Sequence, residues 1–285
     1  MADPVFPGGL SAISDRYDII LCDVWGVIHN GRSAFDQACE ALVRFRDQGG
    51  AVCLITNAPV PKAQVIRYFD PLGVPAEAFD ECVSSGDATR AMLAERPEKL
   101  FWRLGADEGW EHDRFLYEGL DLQFGEAAEA DTILCIGLED QVHDDPEDYR
   151  ARLAQAADRG LDMICANPDI KVRVGDQLYW CAGALAQVFE QEGGQVIYPG
   201  KPYDAIYDLC LQRLADLGVE TSAQRILCIG DSPATDMKGA AARGYDGLYV
   251  GTGLQQHGVD FASEVSSLLS QYETGAKWAM PALAW

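Results

Sequence analysis

The stretch Ile19-Ile20-Leu21-Cys22-Asp23-Val24-Trp25-Gly26-Val27 decides the fold and frames the chemistry. Its apolar start runs directly into Asp23, which indicates a buried strand that ends on a carboxylate. Gly26 predicts a turn immediately afterwards. Two residues after Asp23, where a second carboxylate would complete an acid/base pair, the chain carries Trp25. The stretch therefore predicts one reactive carboxylate at a strand end, beside an indole that can neither give nor take the proton.

On both sides of this strand, short apolar runs alternate with helical patterns, which is typical of a parallel sheet with crossover helices. With the first strand at 18–24, further strands are predicted at 51–56, 225–230 and 247–250, and helices at 36–48 and 203–217. The Gly49-Gly50 pair predicts the end of the first helix. The expected fold class is α/β, with a Rossmann-like doubly wound parallel sheet as its core.

The middle of the chain has an α/β pattern of its own, which predicts an inserted domain. Its apolar runs lie at 100–104, 132–137 and 161–166, and its helical stretches at 86–95, 107–118 and 146–159. The predicted division is therefore a first core segment at 1–83, an inserted α/β domain at 84–194, and a second core segment with a C-terminal tail at 195–285. The aromatic and apolar residues of the tail predict that it docks on the core.

Charge and composition exclude several classes of partner. The chain has 285 residues, of which 48% are hydrophobic, and a formal net charge of −23. Nucleic acid binding needs clustered Lys and Arg, so nucleic acid is not an expected ligand. A phosphate ester would also be repelled at long range, so any phosphate site must be locally electropositive through a metal ion, a Lys or helix N-termini. The surplus of acidic residues otherwise serves solubility.

Location is predicted from the apolar runs and the cysteines. No apolar run is long enough to span a bilayer, and the N-terminus has no pattern of a secretory signal, so neither a membrane partner nor export is expected. Nine cysteines are scattered along the chain without a Cys-x-x-Cys pair, which favours buried thiols in a reducing compartment over disulfides or a zinc site. The sequence therefore predicts a cytoplasmic protein.

Four polar signals fall at predicted strand ends, where open α/β sheets bind their ligands. They are Asp23, Thr56-Asn57, Gly200-Lys201-Pro202 and the segment from Gly230 to Asp236. Each of the first three is equally well explained as a cap or a turn. In the fourth, Asp231 and Asp236 lie five residues apart, at a strand exit and in the first turn of the next helix. That spacing favours a site for a hard divalent cation, although two caps on one loop are the alternative.

Taken in order, the four signals resemble the four motifs of the haloacid dehalogenase superfamily of hydrolases. The matching segments are Asp23 with Gly26-Val27 and Gly31, Leu54-Ile55-Thr56-Asn57, Tyr198-Pro199-Gly200-Lys201-Pro202, and Ile229-Gly230-Asp231 with Thr235-Asp236. In the insertion, Ala166-Asn167-Pro168-Asp169 looks like the cap signature of one class, and Cys181-Ala182-Gly183-Ala184-Leu185 like the helix start that follows it. This class has a large α/β cap between the second and third motifs and includes p-nitrophenyl phosphatases and phosphoglycolate phosphatases.

The resemblance implies a Mg²⁺-dependent phosphatase acting on a small phosphorylated molecule. Homodimers formed through the cap are common in the class that the chain resembles. Asp23 is the implied nucleophile, which would form an aspartyl-phosphate. The implied Mg²⁺ ligands are Asp23, the backbone carbonyl of Trp25, and Asp231, with Asp236 in support. The implied phosphate- and substrate-binding residues are Thr56, Asn57 through its amide, Lys201, Asn167 and Asp169, and Lys201 also counts among the catalytic residues.

Trp25 is the main departure from the family pattern, because relatives normally have a second Asp at this position. That Asp protonates the leaving oxygen and later activates water, and such help is typically worth about 10² to 10⁴ in rate. Slow turnover, or turnover of substrates with good leaving groups, is therefore expected. A protein that binds phosphate and Mg²⁺ with little turnover is the main alternative, and a haloacid dehalogenase-type hydrolase is a further one. His29, six residues after Asp23, is a candidate replacement acid, although an ordinary turn histidine is the simpler interpretation.

Overall fold

The computed structural model describes residues 3–106, 112–174, 177–222, 225–253, 258 and 260–285. The chain divides into two compact units. The first unit comprises Met1–Thr56, Ile66–Val83 and Tyr207–Trp285, and the second comprises Asn57–Val65 and Ser84–Ile206. The predicted insertion at 84–194 lies within the second unit.

The strands of the described residues form two larger sheets and a hairpin. Their bounds are β1 Ile19–Asp23, β2 Ala51–Thr56, β3 Glu81–Ser84, β4 Leu100–Leu104, β5 Gln123–Phe124, β6 Thr132–Cys135, β7 Asp162–Cys165, β8 Lys171–Val174, β9 Gln177–Trp180, β10 Gln195–Ile197, β11 Ile226–Gly230, β12 Asp246–Val250 and β13 Trp278–Met280. The first unit is built on a six-stranded sheet of order β13-β12-β11-β1-β2-β3. The second is built on a five-stranded sheet of order β10-β7-β6-β4-β5.

Helices follow most of these strands, as parallel pairing requires. Their bounds are α1 Asp36–Asp47, α2 Lys62–Arg67, α3 Phe69–Leu72, α4 Ser85–Ala94, α5 His112–Phe115, α6 Arg150–Asp158, α7 Ala182–Gln191, α8 Asp204–Asp216, α9 Lys238–Ala242 and α10 Phe261–Gln271. In α1, the apolar residues Ala38, Ala41, Leu42 and Phe45 are buried. The helix ends before Gly49, whose φ of 91° is the left-handed conformation that glycine adopts without strain. These elements confirm the predicted α/β fold with Rossmann-like parallel sheets.

The second unit has a core on each face of its sheet, which explains why its strands read as continuous apolar runs. One cluster includes Leu153 of α6 and Leu185 of α7, packed on Met163 of β7. The other includes Leu93 of α4 and Phe101 of β4. Burial on both faces removes the alternation of polar and apolar residues that marks a half-exposed strand.

The seven strands predicted from apolar runs are all present, and only their ends differ by one or a few residues. The stretch at 146–159 begins as a 3₁₀ turn, Pro146–Tyr149, before α6. Of the helix predicted at 107–118, residues 107–111 lie outside the described residues, and α5 ends at Phe115 rather than 118. A short turn follows, with the amide of Leu120 bonded to the carbonyl of Tyr117 at 3.0 Å.

The C-terminal tail joins the first unit's sheet, as its composition predicts. Strand β13 pairs with β12 in parallel register, with Leu248 opposite Trp278. The indole N–H of Trp278 donates to the Tyr17 hydroxyl at 2.6 Å, and that hydroxyl donates to Asp246 Oδ2 at 2.7 Å. The amide of Leu10 donates to the carbonyl of Ala284 at 2.8 Å. The tail therefore completes one edge of the sheet.

The nine cysteines, all within the described residues, are buried and carry thiols rather than disulfides. Burial raises the pKa of the Cys39 thiol to about 11, so this thiol stays protonated at neutral pH. The prediction of buried thiols is confirmed. In the described part of the chain, no helix combines the length and the apolar character needed to cross a membrane.

Candidate active site

Two neighbouring strands of the first unit carry carboxylates to the same edge of its sheet. Strands β1 and β11 are parallel, with Cys22 opposite Ile229. Asp23 therefore ends β1 at the level where β11 ends at Gly230, and Asp231 is the next residue. On the other side of β1, Asp23 lies opposite Ile55, so Thr56 ends β2 one residue further along. The strand register thus gathers these three polar residues at the carboxyl edge.

Asp23, Asp231 and Asp236 form one cluster in the first unit. Each offers an oxygen, and the three oxygens lie within 4.8 Å of one another. The three residues are only 6%, 8% and 3% exposed. Three carboxylates that are buried so close together repel one another, and a cation held among them would offset that repulsion. The predicted spacing of Asp231 and Asp236 thus produces convergence on one point, together with Asp23.

A short irregular helix brings Asp236 back toward the end of β11. The segment Pro233–Met237 is π-helical and starts at Ser232, whose hydroxyl accepts the amide hydrogen of Thr235 at 3.3 Å. The amide of Ser232 in turn donates to Asp236 Oδ2 at 3.1 Å. One carboxylate oxygen of Asp236 is therefore engaged by the loop itself, which fits the supporting role implied for this residue.

Three glycines leave room for these carboxylates. A Cβ at Gly253 would lie 1.5 Å from Asp231 Oδ2, and a Cβ at Gly230 would lie 2.1 Å from the Asp236 carboxyl carbon. Gly26 has a φ of 84°, and its Cβ would lie 2.8 Å from Asp231 Oδ2. A side chain at any of these positions would displace a carboxylate. Backbone therefore approaches the cluster more closely than any other residue type permits.

The donor set of the cluster fits a hard divalent cation such as Mg²⁺. Mg²⁺ takes oxygen ligands at about 2.1 Å in octahedral geometry, which places those oxygens roughly 3 to 4.2 Å apart. Carboxylate oxygens within 4.8 Å of one another reach that arrangement with small movements. The field of the cluster extends to Tyr249 on β12: burial raises the pKa of its hydroxyl, and the charges of Asp231 and Asp236 raise it further.

Trp25 lies in a tight turn after β1 and is held by aromatic and glycine contacts. Its ring packs edge-on against the ring of His29, with centroids 5.1 Å apart. The amide of Gly26 donates to the carbonyl of His29 at 2.8 Å and closes the turn. A Cβ at Gly31 would lie 2.5 Å from Trp25 Cη2, so the glycine leaves room for the indole. The indole is thus a packed part of this segment.

His29 does not fit the role of a replacement acid. It is 4% exposed, and burial lowers its pKa to about 4. The imidazole is therefore neutral at pH 7. Its Nδ1 accepts the amide hydrogen of Gly31 at 3.1 Å, so the single ring proton resides on Nε2. The structure favours a buried, neutral histidine over a proton donor.

The second unit brings together Asn57, Asp169 and Lys201. Asn57 Nδ2 donates to Asp169 Oδ1 at 2.9 Å and to the carbonyl of Lys201 at 3.1 Å. Asn57 Oδ1 accepts the amide hydrogen of Lys201 at 2.8 Å. Asn57 and Lys201 are each 3% exposed, so the two bonds between them are buried, and the bond to Asp169 is partly buried.

The loop that carries Asp169 is fixed by its own polar side chain and by a glycine. Asn167 Oδ1 accepts the amide hydrogen of Asp169 at 3.0 Å, which closes a turn around Pro168. The amide of Gly183, at the start of α7, donates to the carbonyl of Asp169 at 3.1 Å. A Cβ at Gly183 would lie 2.3 Å from the carbonyl oxygen of Pro168. Close packing on this loop therefore requires glycine at position 183.

Sequence reasoning predicts no role for Gly253, for Ser232 or for the side-chain amide of Asn57. Gly253 follows the end of β12 within Gly251-Thr252-Gly253, and this Gly-rich strand end was an available signal. The hydroxyl of Thr252 donates to the carbonyl of Gly26 at 2.5 Å, which joins this strand end to the turn after β1. The position of Ser232 before Pro233 also indicates a helix cap.

Comparisons with known proteins place the chain in a family. Residues 20–114 match the family model described as haloacid dehalogenase-like hydrolase, and residues 198–265 match a second model described as HAD-hydrolase-like. A crystal structure of a hydrolase of the haloacid dehalogenase-like family from Brucella suis 1330 is 41% identical in sequence. It covers 98% of this chain and 100% of its own, with a TM-score of 0.85. The chain belongs to the haloacid dehalogenase-like hydrolase family.

Two more distant relatives carry functional names. A protein of Bacillus subtilis (strain 168) named 5'-nucleotidase YutF is 27% identical over 241 residues, which is 84% of this chain and 88% of that protein. A glycerol phosphate phosphatase from Mycobacterium tuberculosis, solved in complex with magnesium, is 23% identical. It covers 85% of this chain and 71% of its own, with a TM-score of 0.63, and this similarity concerns the fold. The family predicted from the motifs is confirmed.

Proposed function

We propose that this haloacid dehalogenase-like protein is a Mg²⁺-dependent phosphoric monoester hydrolase that acts on a small phosphorylated metabolite. The observation that carries the proposal is the buried cluster of Asp23, Asp231 and Asp236, whose oxygens lie within 4.8 Å of one another. A dehalogenase needs no metal, so three clustered carboxylates favour phosphoryl chemistry. Relatives named as a 5'-nucleotidase and a glycerol phosphate phosphatase support the same reaction class.

In the proposed reaction, a carboxylate oxygen of Asp23 attacks phosphorus while the ester P–O bond breaks. The departing oxygen takes its proton from solvent, because the indole N–H of Trp25 is a hydrogen-bond donor and not an acid. Water then attacks phosphorus, inorganic phosphate leaves, and the Asp23 carboxylate is restored with release of a proton. The residues that would hold Mg²⁺ are Asp23, Trp25 through its carbonyl, and Asp231, with Asp236 in support. The bound ion would supply positive charge that offsets the negative charge on the phosphoryl oxygens.

Thr56, the amide of Asn57, and Lys201 are proposed to bind the phosphoryl oxygens, as the motif resemblance implies. Buried ammonium and amide groups are strong ligands for a dianion because water competes with them weakly. Asn167 and Asp169 are proposed to contact the remainder of the substrate. Three further features stay predictions: the cap domain with its predicted bounds, a homodimer formed through this cap, and a cytoplasmic location.

Trp25 favours one alternative, a protein that retains Mg²⁺ and phosphate with little turnover. Loss of the acid and base help normally given by a second Asp removes about 10² to 10⁴ in rate. The aryloxide of an aryl phosphate leaves without taking up a proton. Hydrolysis of aryl phosphates therefore distinguishes a slow enzyme from a binding protein.

The test measures phosphate release from p-nitrophenyl phosphate with Mg²⁺ and with a chelator, beside chloride release from a 2-haloacid. We expect Mg²⁺-dependent phosphate release and no chloride. Asp231→Ala should lose both the activation and the heat of Mg²⁺ binding in calorimetry, since the cluster then lacks one carboxylate. Chloride release would identify a dehalogenase, and Mg²⁺ binding without phosphate release would identify a binding protein. Either result would overturn the proposal.

A further inference from the structure

The side chain of Asn57 makes three hydrogen bonds within the second unit, and they use both of its donors. Its Nδ2 hydrogens go to Asp169 Oδ1 and to the carbonyl of Lys201, and its Oδ1 accepts the amide hydrogen of Lys201. A side-chain amide has two N–H donors in total. With both engaged, the Asn57 side chain offers no donor to a phosphoryl oxygen. Only its backbone amide remains for the role implied by the motif resemblance.

These bonds hold the backbone of Lys201 on both sides of its Cα. The amide and the carbonyl of one residue are both bound to the same side chain, at 2.8 Å and 3.1 Å. Gly200 permits this approach, because a Cβ there would lie 2.5 Å from Asn57 Oδ1 and 2.8 Å from Pro168. The origin of the Lys201 side chain is therefore fixed by Asn57.

The bond from Asn57 Nδ2 to Asp169 Oδ1 joins Asn57 and Lys201 to the Asn167-Pro168-Asp169 loop. The loop is already shaped by the bond from the Asp169 amide to Asn167 Oδ1. Bonds to a charged acceptor are stronger than neutral ones, and burial shields the Asn57 amide from water. The position of Lys201 consequently depends on the Asp169 carboxylate as well as on Asn57.

We propose that Asn57 is a positioning residue, which sets the affinity for the phosphoryl group by fixing the backbone of Lys201 and tying it to Asp169. The inference rests on the proposed function, in which the Lys201 ammonium binds phosphoryl oxygens. A small displacement of a charged ligand from its best geometry is costly, so the effect should be measurable as binding.

The experiment is calorimetric titration of the full-length protein with inorganic phosphate in the presence of Mg²⁺. For Asn57→Ala, which keeps the backbone amide, we expect phosphate to bind about 10-fold more weakly or worse. The dissociation constant for Mg²⁺ should stay within about 2-fold, since every carboxylate of the Asp23, Asp231 and Asp236 cluster remains. A general loss of structure would weaken the binding of both phosphate and Mg²⁺.

Two substitutions of Asp169 test the hydrogen bond between Asn57 and Asp169 separately. They remain informative if Asn57→Ala does not fold. Asp169→Ala removes the acceptor for Asn57 and should weaken phosphate binding, whereas Asp169→Asn keeps an amide oxygen that can accept the same bond. Both variants remove one negative charge, so the difference between them isolates the hydrogen bond. We expect tighter phosphate binding by Asp169→Asn than by Asp169→Ala.

Thr132→Val is the matched control for loss of a partly buried side-chain hydrogen bond in the same unit. The Thr132 hydroxyl donates to Asp162 Oδ1 at 2.7 Å. This bond lies at the start of β6 and β7, at the opposite end of these strands from the Asn167-Pro168-Asp169 loop. This variant should lower stability without changing phosphate affinity. If wild type binds phosphate and Asn57→Ala binds it equally, or if the two Asp169 variants bind it equally, the positioning role is wrong. If wild type binds no phosphate, the proposed function itself is wrong.

Discussion

Asp23→Asn should reduce Mg²⁺-dependent hydrolysis of p-nitrophenyl phosphate to background, by about 10⁴-fold or more. The amide keeps the size of the carboxylate but lacks the charge that attacks phosphorus. The variant should still fold, because Asn fills the same buried position at the end of β1. Steady-state rates of wild type and variant, with thermal melting of both, are the measurements.

Asp47→Asn is the control for Asp23→Asn. It makes the same chemical change at the last residue of α1, where the side chain is exposed. This variant should hydrolyse p-nitrophenyl phosphate at the wild-type rate. If Asp23→Asn also retains a comparable rate, the covalent mechanism is wrong and another nucleophile must attack phosphorus.

Trp25→Asp should raise hydrolysis of alkyl phosphates by up to about 10² to 10⁴, with a much smaller gain for aryl phosphates. An alkoxide needs a proton to leave, whereas p-nitrophenolate does not. Wild type should accordingly show a steep dependence of kcat/KM on the pKa of the leaving group, and the variant a shallower one. A set of phosphate esters graded by leaving-group pKa, assayed on both proteins, measures the two slopes.

Trp25→Asn separates the new acid from the lost indole. Both variants lose the contact with His29 and leave space beside Gly31, so both should melt at a lower temperature than wild type. Only the carboxylate can carry a proton to the leaving group. Equal rates for the two variants on alkyl phosphates, or a flat leaving-group dependence in wild type, would show that Trp25 does not limit the reaction.

The acidic cluster could be predicted because strand ends are encoded locally. Apolar runs locate β1 and β11, and parallel pairing brings the residues that follow them to the same edge. Asp23 and Asp231 are therefore neighbours as soon as the two strands are neighbours. The five-residue spacing of Asp231 and Asp236 needs only the local loop, which Ser232 caps.

The role of the Asn57 side chain could not be predicted, because its partners are 112 and 144 residues away in sequence. No local pattern encodes a bond over that distance. The burial of His29 could not be predicted either. Its neighbour Phe69, whose ring centroid lies 6.2 Å away, belongs to α3, and this four-residue helix shows no periodic pattern in the sequence. Short elements such as α3 and β13 form through tertiary packing and have too few residues to show a period.

Rapid-quench analysis of p-nitrophenyl phosphate hydrolysis tests most directly whether Asp23 takes the phosphoryl group. Trp25 cannot activate water, so breakdown of the aspartyl-phosphate should be slower than its formation from a good leaving group. With Mg²⁺ present, the account predicts a burst of p-nitrophenolate approaching about one equivalent of enzyme, and acid-quenched protein phosphorylated on the peptide that contains Asp23. Steady phosphate release without a burst, and with no phosphoryl group on Asp23 at any quench time, would contradict it.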